Sequence, residues 1–274
     1  MGAHWPSKPL ARDEPPGIPA ALAPHLADGT LRAALRTAGV DIVEFLSFWS
    51  MRERAIALGA APTGLGRLLA RILAARPGVR VHLVGHSLGC VALSGALVTA
   101  GAPLAGARPG GHAASFFLVQ AAESSWAFSA SAPFFTGGAG AYAAVVADGL
   151  VDGALVATTS RHDRALNLLY PLGMEFILQR SYAAASDQPA RSAAIGAAGL
   201  AFVPPVATAQ TLPPLAPDAP AFALAAGSQY TIDCSAVIAA DAGPAGAHSD
   251  VAHPELAALF YASVAVAVAA AAAR

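Results

Sequence analysis

The chain reads as an α/β fold, a mostly parallel sheet with helices on both faces, formed by a single domain over residues 1–274. Three observations predict it. Short β-branched runs alternate with stretches of helical period, an order that places covering helices between parallel strands. One of those strands runs through Gly85-His86-Ser87-Leu88-Gly89 straight into a helix. With 274 residues, 55% of them hydrophobic and only 12% charged, the chain can bury a sizeable core and lies far from disordered compositions.

The elements follow in order. Pro and Gly crowd the stretch from Pro6 to Pro24, and Arg12-Asp13-Glu14-Pro15-Pro16-Gly17 can continue neither a helix nor a central strand, so the chain is expected to begin irregularly. Leu31–Ala38 is a helix ended by Gly39. Ile42, Val43, Phe45, Leu46 and Phe48 cluster and predict a strand over Val40–Phe48. Within Arg52–Ala75, Leu65, Leu68, Leu69, Ile72 and Leu73 share a helical face, while Gly59, Pro62, Gly64 and Gly66 break the first half. After Pro77-Gly78, Val79–Val84 is a strand, and Val91, Leu93, Ala96, Leu97 and Val98 resume a helix up to Gly101. Further strands are expected over Ser115–Gln120, Gly153–Thr158 and Tyr230–Ala239. The Pro-rich tract Phe202–Pro220 is read as an ordered surface excursion or a flexible loop. Leu256–Ala273 carries no charge and has the length of a membrane span, yet it is mostly alanine, which inserts poorly, so a packed C-terminal helix and no membrane span are expected.

Composition excludes several functions. Sixteen Lys+Arg balance 17 Asp+Glu, and no basic run appears, which argues against nucleic acid as a partner. Two cysteines, Cys90 and Cys234, are too few for a disulfide framework or a zinc cluster, and Met1–Pro6 has no charged segment leading into an apolar run. A cytoplasmic protein is expected. No His-Glu-x-x-His or comparable set is present, and Gly137-Gly138-Ala139-Gly140-Ala141 lacks both the spacing and the preceding strand of a phosphate loop, so neither metal nor cofactor is expected.

The chemistry centres on Gly85-His86-Ser87-Leu88-Gly89, a G-x-S-x-G pattern between strand and helix. A sharp turn there would lift the Ser87 hydroxyl out of the sheet, with glycines where larger side chains would collide. It would also set the N–H of Leu88 at a helix start, where a free donor and the positive end of the helix dipole can face a developing oxyanion. His86 is expected to pack locally, and Cys90 to wedge helix against strand.

The stretch Val81-His82-Leu83-Val84-Gly85-His86-Ser87-Leu88-Gly89 resembles the nucleophile elbow of the α/β-hydrolase fold of esterases, lipases and thioesterases. That resemblance implies a triad in the chain order Ser, acid, His. Asp163, in the loop after the strand Gly153–Thr158, is then the acid, with Asp152 and Asp233 as rivals. His248, between the last strand and last helix, is the base, with His253 as rival because it precedes Pro254 at a helix start. Asp250 is read as a helix cap, with a supporting role beside His248 as the alternative. The loop Phe48-Trp49-Ser50-Met51-Arg52 would supply a second oxyanion donor from the backbone of Trp49 or Ser50. Between Ala121 and Ala147, Trp126, Phe128, Phe134, Phe135 and Tyr142 form either an apolar cap that binds the acyl group or ordinary core. Only 86 residues precede Ser87, so the N-terminal part of the sheet is expected to be reduced. The expected substrate is a small-molecule acyl ester or thioester. Acyl transfer with the same triad, or a binding protein that lost the activity, remain alternatives.

Overall fold

A computed structural model describes residues 18–61, 63–76, 78–101, 112–132, 138–178, 192–200, 208–212, 222–241 and 243–273. Its helices and strands are α1 (Ala23–Ala27), α2 (Thr30–Ala38), α3 (Ile42–Ala60), α4 (Leu65–Ala75), β1 (His82–His86), α5 (Leu88–Gly101), β2 (Ser115–Val119), α6 (Ala144–Ala147), β3 (Leu155–Thr159), α7 (Tyr170–Leu178), α8 (Ile195–Ala198), β4 (Thr208–Thr211), β5 (Gln229–Asp233) and α9 (Pro254–Ala272). One π-helical turn, Ala165–Leu169, leads into α7, and one 3₁₀ turn, Ala247–Ser249, precedes α9.

The five strands form one all-parallel sheet in the order β1-β2-β3-β5-β4. Parallel neighbours require crossovers, and the helices that make them cover both faces, so the protein has an α/β fold. β2 and β3 are buried at every position, as strands covered on both sides must be. β1 stands at an edge, and Val84 on it is 47% exposed.

Three clusters make the interior. On one face α4 and α5 pack Leu69, Cys90 and Leu97 against Leu83, Phe116, Leu118 and Leu155. On the other, Leu256 and Leu259 of α9 meet Phe117, Val156, Tyr230 and Ile232. A third core joins Leu22, Leu31, Leu35, Phe45 and Trp49 from the N-terminal helices to Leu166, Tyr170 and Met174, with Leu88 packed against it. Leu88, Ala122 and Leu166 follow the ends of β1, β2 and β3, so this third core roofs the carboxyl edge of the sheet.

Three segments differ from the sequence reading. Val40–Phe48 is not a strand: Ile42 begins a 19-residue helix. Asp41 caps that helix by accepting the N–H groups of Val43 (2.8 Å) and Glu44 (3.0 Å), and Phe45, Leu46 and Trp49 point inward at helical spacing while Val43 is 53% exposed. The strand expected over Tyr230–Ala239 ends at Asp233, where the Asp233 carboxylate accepts the Ser235 N–H (2.9 Å) and turns the chain. The tract Phe202–Pro220 is more than a surface excursion, because Thr208–Thr211 within it extends the sheet as β4. α9 is a packed helix that buries Leu256, Leu259, Ser263 and Ala267. By length and composition alone, α9 and the stretch Ile42–Ala75 are also apolar enough to cross a membrane.

Candidate active site

β1 delivers Ser87 at its carboxyl end in a left-handed backbone conformation, φ 55°. For a residue with a side chain this conformation costs about 1–3 kcal/mol and persists only where neighbours enforce it. They do so here. Ser87 N–H donates to Val119 O (3.1 Å), while Ser87 O accepts from Cys90 N–H (3.1 Å) and Ala122 N–H (3.3 Å). The two glycines of the pattern are not equivalent: a Cβ on Gly85 would lie 2.8 Å from the Cys90 nitrogen, whereas Gly89 faces open space. Only Gly85 is sterically required. Cys90 is buried with its thiol on Val119 O (3.7 Å), and burial pushes its pKa well up, which fits a packing role.

Two loops complete the arrangement. Asp163, fully buried, follows β3, and the chain after β5 returns beside it through a bridge between Asp163 and Gly246. Ala247 N–H donates to His162 O (2.9 Å) and fixes the turn that carries His248. Gly246 has φ 62°, and a Cβ there would lie 2.4 Å from His162 O, so glycine is needed for the approach. His248 Nε2 then stands 2.7 Å from Ser87 Oγ, and its Nδ1 stands 2.8 Å from Asp163 Oδ2. An ionised carboxylate only accepts, so Nδ1 carries the proton and Nε2 is left to accept from the serine hydroxyl. Such a chain can draw a proton from a hydroxyl and return it to a departing group.

Neighbours hold the ring. His86 packs on His248 with ring centres 5.0 Å apart, and its Nε2 lies 2.9 Å from His248 O. Burial, reinforced by repulsion from His248, lowers the pKa of His86, which keeps a second positive charge off the site. Sequence reasoning missed Gln120. Fully buried at the end of β2 with φ 43°, it donates Nε2–H to Asp163 Oδ2 (2.8 Å), the oxygen that also faces His248. Its backbone N–H (3.0 Å) and Oε1 (3.1 Å) both meet the Thr158 hydroxyl. The other Asp163 oxygen accepts Leu166 N–H (3.0 Å).

The rival residues are engaged elsewhere. His253 sits at the start of α9 and pairs with Asp250 (2.9 Å). Asp250 does not cap that helix; its other oxygen accepts the N–H groups of Ala239 and Ala240, bonds that lower its pKa. Asp152 meets His112 (3.2 Å), and Asp233 meets Ser235. Leu88 opens α5, so its N–H is one that a helix leaves without an internal acceptor. Trp49 and Ser50, expected in a loop, lie inside α3, where backbone N–H groups are committed to the helical ladder, so neither can be the second oxyanion donor. Phe128 is 1% exposed in the core under the sheet, with Tyr142 packed beside it (6.1 Å) and Trp126 8% exposed. Phe134 and Phe135 lie outside the described residues. The aromatic side chains that cluster with Leu88 include Phe48, Trp49 and Tyr170 from α3 and α7, together with Tyr142, which packs with Leu88 against Ala55, Val91 and Ala92. Among the described residues no group of three or more His, Cys, Asp or Glu is placed to hold a metal.

Comparison with protein-family models, curated proteins and solved structures found no match to this chain.

Proposed function

We propose that the protein is a serine hydrolase of the α/β-hydrolase type, cleaving a carboxylic ester or thioester through an acyl-enzyme on Ser87. The observation that carries this reading is the unbroken chain from Ser87 Oγ through His248 to Asp163, at 2.7 and 2.8 Å. His248 takes the hydroxyl proton as Ser87 Oγ attacks the carbonyl carbon. The tetrahedral oxyanion faces Leu88 N–H and the positive end of α5. His248 then gives its proton to the leaving oxygen or sulfur, and water, activated by the same imidazole, releases the acid. Asp163 holds the ring in the required tautomer throughout.

A fluorophosphonate probe tests the reading directly. Ser87 should be labelled in the wild type, Ser87→Ala should not react, and turnover of a p-nitrophenyl ester should fall by on the order of 10⁴-fold or more in that variant. Well-folded protein that neither labels nor turns over esters would return the chain to a non-catalytic binding role.

A further inference from the structure

A second chemical feature lies on the flank of the nucleophile's helix. α3 presents Trp49, Arg52 and Ala55 at three-residue steps, hence on one face. Ala55 packs against Val91 and Ala92 of α5, and Leu88 joins both that cluster and the one that contains Trp49 and Tyr170. Arg52 is therefore set over the first turns of α5, beside the residue whose N–H would face the oxyanion. Its guanidinium carbon lies 5.6 Å from the Trp49 ring centre, and the Trp49 and Tyr170 rings are 5.6 Å apart. Glu123, four residues past β2, reaches the same region and accepts the Ser94 hydroxyl on Oε1 (2.9 Å).

The polar atoms here satisfy one another only in part, since the Arg52 guanidinium reaches the Tyr170 hydroxyl as a hydrogen-bond donor. Arg52 Nε, Trp49 Nε1 and Glu123 Oε2 are buried without a hydrogen-bond partner among the described residues, although Trp49 and Glu123 are only 2% exposed, and the fully buried Tyr170 hydroxyl has no partner there besides Arg52. Arg52 lies near enough to Tyr170 and Glu123 to act on their charge, yet no carboxylate within 4 Å compensates it among the described residues. Burial outweighs the pull of Arg52 and raises the Glu123 carboxyl to about 8, so at neutral pH it stays protonated and leaves the guanidinium charge unmatched. The set is rich in donors, positive, and short of an acceptor. An anionic acceptor with planar geometry is the complement, and guanidinium binds carboxylate in that way.

We propose that Arg52, with Trp49, Tyr170 and Glu123, is a recognition subsite for a carboxylate carried by the substrate, so that the protein prefers esters or thioesters bearing a free carboxylate. The inference rests on the acyl-enzyme reading of Ser87 for its link to turnover, but not for binding. Three esters test it: p-nitrophenyl hexanoate, mono-p-nitrophenyl adipate with the carboxylate on the acyl side, and 4-carboxyphenyl hexanoate with it on the leaving side. One of the carboxylated esters should exceed the plain hexanoate in kcat/KM by about tenfold or more, through KM, and Arg52→Met should erase that ratio. The arm that shows the preference assigns the side. Arg52→Gln replaces Arg52→Met should the latter fail to fold by circular dichroism. Equal turnover of the three esters by wild type, a ratio that survives the Arg52 variants, or a uniform fall in kcat for all three would each overturn the subsite. Adipate binding to Ser87→Ala protein, read by tryptophan fluorescence, separates the two readings. Binding that Arg52→Met weakens by about tenfold keeps the subsite, and should the wild type then neither label with the fluorophosphonate nor hydrolyse esters, the acyl-enzyme reading ends while the subsite stands; no adipate binding ends the subsite even if wild type turns esters over.

Discussion

At the scale of single residues, the site is held by side chains whose options have been removed. Asp163 uses one oxygen for Leu166 N–H and the other for both Gln120 and His248, so its carboxylate cannot rotate without losing a bond. If it orients His248, Asp163→Asn keeps the shape but presents a donor to Nδ1 and favours the wrong tautomer. Turnover of a p-nitrophenyl ester at neutral pH should then fall by about 10³ to 10⁴, with KM little changed. Asp152→Asn and Asp233→Asn should turn over normally, being engaged with His112 and Ser235. Gln120 yields a separate expectation. Gln120→Ala and Gln120→Gly both delete the donor to Asp163 and should lower kcat equally, by about 10- to 100-fold, as loss of a partner that positions a catalytic group does. The positive φ strains alanine but not glycine, so thermal melting should rank Gln120→Gly at or above Gln120→Ala. Ser87, Asp163 and His248 were legible because each sits in a local pattern, either the elbow or a loop after a strand. Gln120 was not, since its meaning lies in partners 38 and 43 positions away.

At the scale of elements, α3 shows how periodicity misleads. Five apolar residues between Ile42 and Phe48 look like a β-branched run, but Ile42, Phe45, Leu46 and Trp49 also fit a helical stripe. The signal that decides between them is Asp41 with Glu44 three residues on, the order of a helix start. The misreading moved Trp49 and Ser50 into a loop, and with them the second oxyanion donor. It also hid the roof, because an amphipathic helix over the carboxyl edge of the sheet places Trp49 and Arg52 beside Leu88 in a way that a strand could not. Asp41→Ala should cost about 1 kcal/mol of stability in urea titrations, while Asp41→Ser should be nearly neutral, since serine can accept the same N–H groups. Loss of ester turnover beyond that expected from unfolding would tie the start of α3 to the roof over the site.

At the scale of the whole molecule, the layer order was legible and the strand order was not. Alternating runs dictate a parallel sheet, but nothing local says that Thr208–Thr211, four residues inside a proline-rich tract, adds beyond β5 and makes β5 an interior strand. Pairing of that kind is decided by long-range docking. The same assembly buries Glu123 between α5 and the loop after β2, and this makes global stability depend on pH in a predictable direction. The carboxyl has a pKa of about 8 when folded, against 4.5 as its ordinary value. Between those limits the folded state holds a proton that the unfolded chain has released, so stability is full below 4.5 and is lost as pH rises through 8. His86 acts oppositely: its folded pKa lies below 6.5, so it removes stability only as pH falls below 6.5. The window from pH 6.5 to 8 therefore isolates Glu123. Across it, urea unfolding should show stability falling with pH at a slope of up to about 1.4 kcal/mol per unit, the limit for one proton. Glu123→Gln keeps the acceptor for Ser94 and cannot ionise, so it should flatten that slope and be the more stable protein at pH 8. A wild-type curve already flat over the window would mean that Glu123 is ionised in the folded protein and that the charge of Arg52 is matched from within.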